Sequence, residues 1–196
     1  MKRSIITLVA GGMVSAAALG GGAALAGSDH AGDQAEIALF QNAAHDIRAA
    51  IAAAEGATSG KAVEAEFTEE DGAPLWEVKT VAGTTRAEVN VDPATGQVVH
   101  TKDKDDDAGS TDAVTPEMLG APLVDLVTKA EAEGGGKVMS IDYEHENGQA
   151  VGVEVEIVNA DGTVHEFLMN PADGKLTPLV AGQDGDEGDE TGEDGN

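Results

Sequence analysis

Two apolar rhythms alternate along this chain, and the alternation runs through twice. Ile37, Phe40, Ala44, Ile47, Ile51 and Ala54 recur at steps of three and four, which sets them on one face of a helix. Asp33-Gln34-Ala35-Glu36 ahead of them has the form of a capping box. One helix is therefore expected from about Asp33 to about Gly56. The period then drops to two. Val63, Ala65 and Phe67 alternate with Glu64 and Glu66, Trp76, Val78 and Thr80 with Glu77 and Lys79, and Ala87, Val89 and Val91 with Glu88 and Asn90. Turns fall at Asp71-Gly72, near Gly83, and at Asp92-Pro93-Ala94-Thr95-Gly96, where Pro fixes one φ and Gly permits a positive one. Val98 and Val99 form a short fourth strand. The pattern is a helix followed by an antiparallel meander.

The second pass opens at Thr115-Pro116-Glu117, with Thr as cap and Pro at the first helical position. Pro122 kinks or restarts that helix. Leu123, Leu126, Val127 and Ala130 form its apolar face, and Gly134-Gly135-Gly136 ends it. Alternation follows in Met139, Ile141 and Tyr143, then in Val151, Val153, Val155 and Ile157, then in Phe167 and Met169, and ends at Leu176. The turns between are Asn147-Gly148, Asp161-Gly162 and Asn170 to Gly174, and Asn-Gly and Asp-Gly are strong hairpin signals. E-V-N-V-D-P-A-T-G-Q-V at 88–98 is echoed by E-F-L-M-N-P-A-D-G-K-L at 166–176, and Gly60-Lys61 by Gly136-Lys137. The offset is 76 residues at the Lys and 78 at the turn. A period this long marks two copies of a small domain rather than a solenoid.

The expected fold class is α+β. It consists of two tandem small domains, each a helix packed on a three- to four-stranded antiparallel meander sheet. Residues 33–101 form the first domain and 115–180 the second. The segment 102–114, with Asp103, Asp105, Asp106, Asp107 and Asp112, reads as an acidic linker. Beyond Ala181 the chain carries no apolar residue, and 181–196 reads as a disordered acidic tail. Residues 1–26 have the basic start, uncharged run and small-x-small end (Ala24-Leu25-Ala26) of a cleaved signal peptide. The expected location is extracytoplasmic: secreted, periplasmic or in the cell envelope, with no stable membrane insertion after cleavage.

Charge narrows the partners. The formal net charge is −26, with 37 acidic and 11 basic residues. Such a chain repels nucleic acid and attracts cations and basic protein surfaces. With no Cys in the chain, disulfides, thiol catalysis and thiolate metal sites are excluded. His145-Glu146-Asn147-Gly148-Gln149 falls one residue short of the H-E-x-x-H zinc motif, and Asn-Gly breaks the helix that motif needs. His165 shares the alternation of Phe167 and reads as a partly buried structural histidine. Asp103, Asp105 and Asp107 imitate a calcium loop, but Ala108 and Val114 stand where Gly and Glu are required. The tail stretch Asp184, Asp186 and Gly188 fails in the same way. No G-x-S-x-G occurs, and Ser140 has no neighbouring base. No catalytic, cofactor-binding or metal-ligating residue is expected, only weak attraction of divalent cations. Trp76 reads as core under the first helix, with an interface anchor as the alternative.

The helix, the meander and V-D-x-x-T-G-x-V resemble the PepSY domain family. The likeness covers roughly 36–101 and again roughly 116–180. It rests in the first copy on Phe67, Gly72, Trp76, Val78, Val91, Asp92, Thr95, Gly96 and Val98, and in the second on Tyr143, Gly148, Asn170 and Gly174. The second copy has drifted: Met169 replaces the Val, Asn170 the Asp and Asp173 the Thr, and Val153 stands where the first has Trp76. The resemblance implies a non-enzymatic module. Members of the family occur in propeptides of secreted thermolysin-type metallopeptidases and as free exported proteins, and the family is linked to peptidase regulation or inhibition. Its motif is structural, so no catalytic residue carries over. The expected function is an exported protein-binding module, with a secreted peptidase as the implied partner. The alternative is an acidic cation-interacting envelope protein without a specific protein partner.

Overall fold

The computed structural model describes residues 29–70, 72–103, 118, 120–146 and 149–179. The signal segment, the tail and most of the acidic linker lie outside them. The first half holds α1 (Asp29–Gln41), α2 (Ile47–Thr58), β1 (Lys61–Glu70), β2 (Ala73–Ala82), β3 (Thr85–Val91) and β4 (Val98–Asp103). The second holds α3 (Leu123–Gly134), β5 (Lys137–Glu146), β6 (Gln149–Val158), β7 (Val164–Met169) and β8 (Leu176–Pro178).

The single helix expected over residues 33–56 is two. Asp46 adopts an extended conformation (φ −80°, ψ 175°) and its carboxylate caps the Ala49 N–H at 3.1 Å, so a second helix starts at Ile47. Ahead of it, the Asn42 amide turns back to the Ala38 carbonyl at 2.7 Å, a local bond that competes with helix continuation. The freed His45 N–H donates to the Pro93 carbonyl at 2.9 Å. The helix start read at Thr115-Pro116-Glu117 lies outside the described residues; α3 begins at Leu123, directly after Pro122, and ends on Gly135 in the left-handed region (φ 74°). Ser59 plays that terminal part for α2 with φ 57°. β4 runs through Lys102 and Asp103, which pair with Glu88 and Ala87. The first residues assigned to the linker are therefore strand.

The strands form one open antiparallel sheet of eight in the order β4-β3-β2-β1-β5-β6-β7-β8. The α+β class and the meander topology are as expected. The two meanders, however, share one sheet, joined where Glu64, Ala65 and Glu66 of β1 pair with Asp142, Ile141 and Ser140 of β5. Positions 76 apart face each other at this junction: Ala65 opposes Ile141, and Glu64 and Glu66 oppose the counterparts of one another. The halves are thus related by an approximate two-fold axis through the Ala65–Ile141 pair.

A dyad of this kind leaves both helices on one face. Ile47, Ala50, Ile51 and Ala54 of α2 and Leu123, Leu126, Val127 and Ala130 of α3 are buried at equivalent positions. They join one core with Ala65, Val78, Val89, Ile141, Val155 and Ile157. The many alanines of α2 bring it close to the sheet. Continuity of this core explains how two thin halves persist, since a unit of about 60 residues alone buries little of its surface. No described helix is long and apolar enough to cross a membrane.

Candidate functional site

The motif turn after β3 is built from its own side chains. Asp92 accepts from Ala94 N–H at 2.7 Å and from the Thr95 hydroxyl at 3.0 Å. The Ala94 N–H first, then the Thr95 hydroxyl, hold its carboxyl below the usual range. Gly96 takes φ 69°, and a Cβ there would stand 2.9 Å from His45 Nδ1. His45 is clamped over the turn, and its carbonyl accepts the Trp76 indole N–H at 3.0 Å. Trp76 is fully buried, with Phe67 at 5.2 Å and Phe40 at 6.0 Å, both edge to face. Trp76 is therefore core, as expected, but Phe40 and His45 reach it from α1 and the α1–α2 loop.

The second half repeats this construction with other residues. Phe67, Trp76 and Val91 lie in one cross-strand row, and Tyr143, Val153 and Met169 lie in the equivalent row. Asn170 accepts from Ala172 N–H at 2.9 Å, and the Gly174 N–H donates to its carbonyl at 2.8 Å. Asp92 and Gly96 make the same backbone bond, also at 2.8 Å. Glu55 accepts from Ala62 N–H, and Glu131 from Val138 N–H. The Tyr143 hydroxyl donates to the Ala121 carbonyl.

A groove of about 390 Å³ opens where α1 meets the second half. Phe40 and Trp76 line it from one side, Val138, Val158 and Ala160 from the other, and Asp46, Glu131 and Lys137 give it polar groups. Gln41 donates to the Asn159 carbonyl at 3.2 Å and Ile37 lies against Gly162, so α1 straps the first half to the second. Arg48 of α2 bonds Glu131 of α3 beside the groove.

The face of the sheet turned away from α2 and α3 carries the charge. One cross-strand row runs from Asn90 through Glu77, Glu66, Ser140 and Glu156 to Glu166. The next holds Glu88, Lys79, Glu64, Asp142 and Glu154. Lys79 bonds Glu64. Oxygens of Glu64, Glu66 and Glu77, all half-buried, lie within 4.8 Å of one another. Burial foremost, then the charges of Glu166, Glu36, Glu154 and Glu66, push the Glu156 carboxyl up to about 7.

The two sheet edges differ. β8 is 3 residues long and ends on Pro178, which blunts it against further pairing. β4 is 6 residues long and exposed throughout, and Val99 is 61% exposed.

Of the motif residues read from sequence, Phe67, Trp76, Val78 and Val91 are core, as is Tyr143. Asp92, Thr95, Gly96, Asn170 and Gly174 build the turns, and Gly72 takes φ 80°. Val98 is an exposed edge residue rather than core. Gly148 and the His145 side chain lie outside the described residues. His165 is exposed, not partly buried, because it stands beside the Asp161-Gly162 turn on the penultimate strand. Sequence reasoning missed the grouping of Glu64, Glu66 and Glu77 and the strap formed by α1. Alternation does place Glu64 and Glu66 on one face, but joining Glu77 to them requires the β1–β2 register.

Fold and site together define an open antiparallel α+β sheet protein with a strapped groove and an acidic face. A family model, PepSY, the "Peptidase propeptide and YPEB domain", matches residues 49–101. That span covers α2 from Ala49 through β4 and leaves α1 outside. No curated protein matches the chain. Among solved structures, it is similar to a crystal structure described as that of a lipoprotein from Clostridium difficile 630. That match has 12% identity and a TM-score of 0.38, and spans 63% of this chain and 83% of the other.

Proposed function

We propose that this is an exported, non-enzymatic protein-binding module that regulates or inhibits a peptidase outside the cytoplasm. The observation that carries the reading is the match of residues 49–101 to a peptidase-propeptide domain. The geometry supports it. The exposed β4 edge offers unpaired backbone groups to an extended partner segment, a mode that uses main-chain bonds for affinity. The strapped groove next to Trp76 offers an apolar slot for a side chain.

In this reading residues 115–180 are a second copy of the same unit. Equivalent core rows, equivalent turns and the paired Glu55 and Glu131 contacts support it. Residues 1–26 are the export signal, 33–101 and 115–180 the two copies, 102–114 the linker and 181–196 an acidic tail. The first copy, which keeps the motif and the Trp, makes the main contact.

The test is inhibition of a secreted metallopeptidase of the host by the purified chain, alongside capture of partners from culture fluid. Slowed proteolysis that Val99→Asp relieves, with the melting temperature unchanged, supports the reading. No inhibition and no captured peptidase would sink it.

A further inference from the structure

The carboxylates on the charged face of the sheet include one group whose geometry fits a ligand. Glu64 and Glu66 of β1 and Glu77 of β2 present oxygens within 4.8 Å of one another. Calcium holds oxygen ligands at about 2.3–2.6 Å, so two ligands of one ion stand at most about 5.2 Å apart. All three carboxylates can therefore reach a single ion without moving a strand. Two paired strands of the central sheet hold them in place, a more rigid mount than a loop. Lys79 of β2 bonds Glu64 of β1 across the strand pair.

A second observation points the same way. Asn90 lies directly opposite Glu77 in the β2–β3 register and is only 6% exposed. Its Nδ2 donates to Glu70 at 3.4 Å, which fixes the amide. Its carbonyl Oδ1 is buried and accepts no hydrogen bond from the described residues. An ionised carboxylate has no hydrogen to give, so the acidic neighbours cannot satisfy that oxygen. A cation can, and an amide carbonyl beside carboxylates is a hard oxygen donor set.

We propose that Glu64, Glu66, Glu77 and the Asn90 carbonyl form a binding site for one hard divalent cation, calcium being the favoured ion. The site is distinct from the Asp-rich linker and the tail, and it does not depend on the peptidase reading. The ion would cross-link β1, β2 and β3 on the face opposite α2 and α3. Glu156 shares the cross-strand row, and a cation at Glu66 would offset part of the repulsion that Glu66 exerts on it.

Calorimetry of the full chain with calcium chloride, at ~0.15 M monovalent salt to suppress diffuse screening, tests the site. No peptidase is present, so its outcome is independent of the peptidase reading. The expected result is one saturable site per chain and a raised melting temperature. Glu66→Gln and Glu77→Gln should each weaken binding by about tenfold or more and remove the thermal shift. Asn90→Leu, which keeps the volume and removes the carbonyl, should weaken it as well. Asp105→Asn with Asp107→Asn should leave the saturable site intact. No saturable binding overturns the proposal, since water then satisfies Asn90. Binding that survives Glu66→Gln but is lost in the linker variant also overturns it.

Discussion

Ala65 and Ile141 face each other across the β1–β5 junction; both are fully buried, and they hold the same place in the two halves. One hydrophobic core runs across this pair, so the halves should unfold together. The chain has one Trp, in the first half, and one Tyr, in the second. Denaturant curves followed by Trp76 emission and by Tyr143 absorbance should coincide, as a single cooperative transition requires. Ile141→Ala should lower both midpoints alike, at a cost of about 2–5 kcal/mol. Two separated curves would show that the junction does not couple the halves.

Trp76 joins the first-half sheet to the α1–α2 loop. Trp76→Phe keeps most of the ring packing but leaves the His45 carbonyl without its donor, and should cost about 1–3 kcal/mol. Trp76→Ala also opens a cavity between Phe40 and Phe67 and should cost about 3–5 kcal/mol. Urea midpoints of the two variants should fall in that order.

The turn glycines separate backbone strain from crowding. Gly72 and Gly96 both have positive φ, 80° and 69°, and Ala at either pays a left-handed penalty of about 1–2 kcal/mol. Only at Gly96 would the new Cβ meet His45, at 2.9 Å, while Gly72 faces open space. Gly96→Ala should therefore lower the melting temperature clearly more than Gly72→Ala. Equal shifts would mean that His45 yields freely.

Glu156 gives the protein a pH signature. Its folded carboxyl titrates near 7, against an ordinary 4.5. Between those values the folded state holds a proton that the unfolded state has released, so stability falls as pH rises through that window. Glu166, also raised by burial, acts in the same direction. Glu156→Gln should stabilise the chain by roughly 1–3 kcal/mol at pH 8 and by little at pH 4. Thermal melts at both pH values, wild type beside variant, measure this; a stabilisation equal at both would remove the charge from the explanation.

What could be read in the chain was whatever depends on near neighbours. The strand rhythm of Val89 and Val91, the Asp92–Gly96 turn and the Gly135 cap all stand in the structure. The break between α1 and α2 was the local feature most easily missed. The apolar period runs straight across it from Phe40 to Ile47, and only the cap at Asp46 and the bond from His45 to Pro93 interrupt the helix.

The sequence by itself determined the strands, most of the helical residues and the meander order within each half, because periodicity and turn chemistry are encoded within a few residues. Tertiary structure alone decided that the two meanders share one sheet, since β1 and β5 meet through segments 76 positions apart that carry no local signal for each other. It also decided which charges became neighbours. Glu64, Glu66 and Glu77 converge from two strands, Asn90 lies opposite Glu77 on a third, and this placement follows from strand register. A shift of one residue would have sent a whole strand's side chains to the other face.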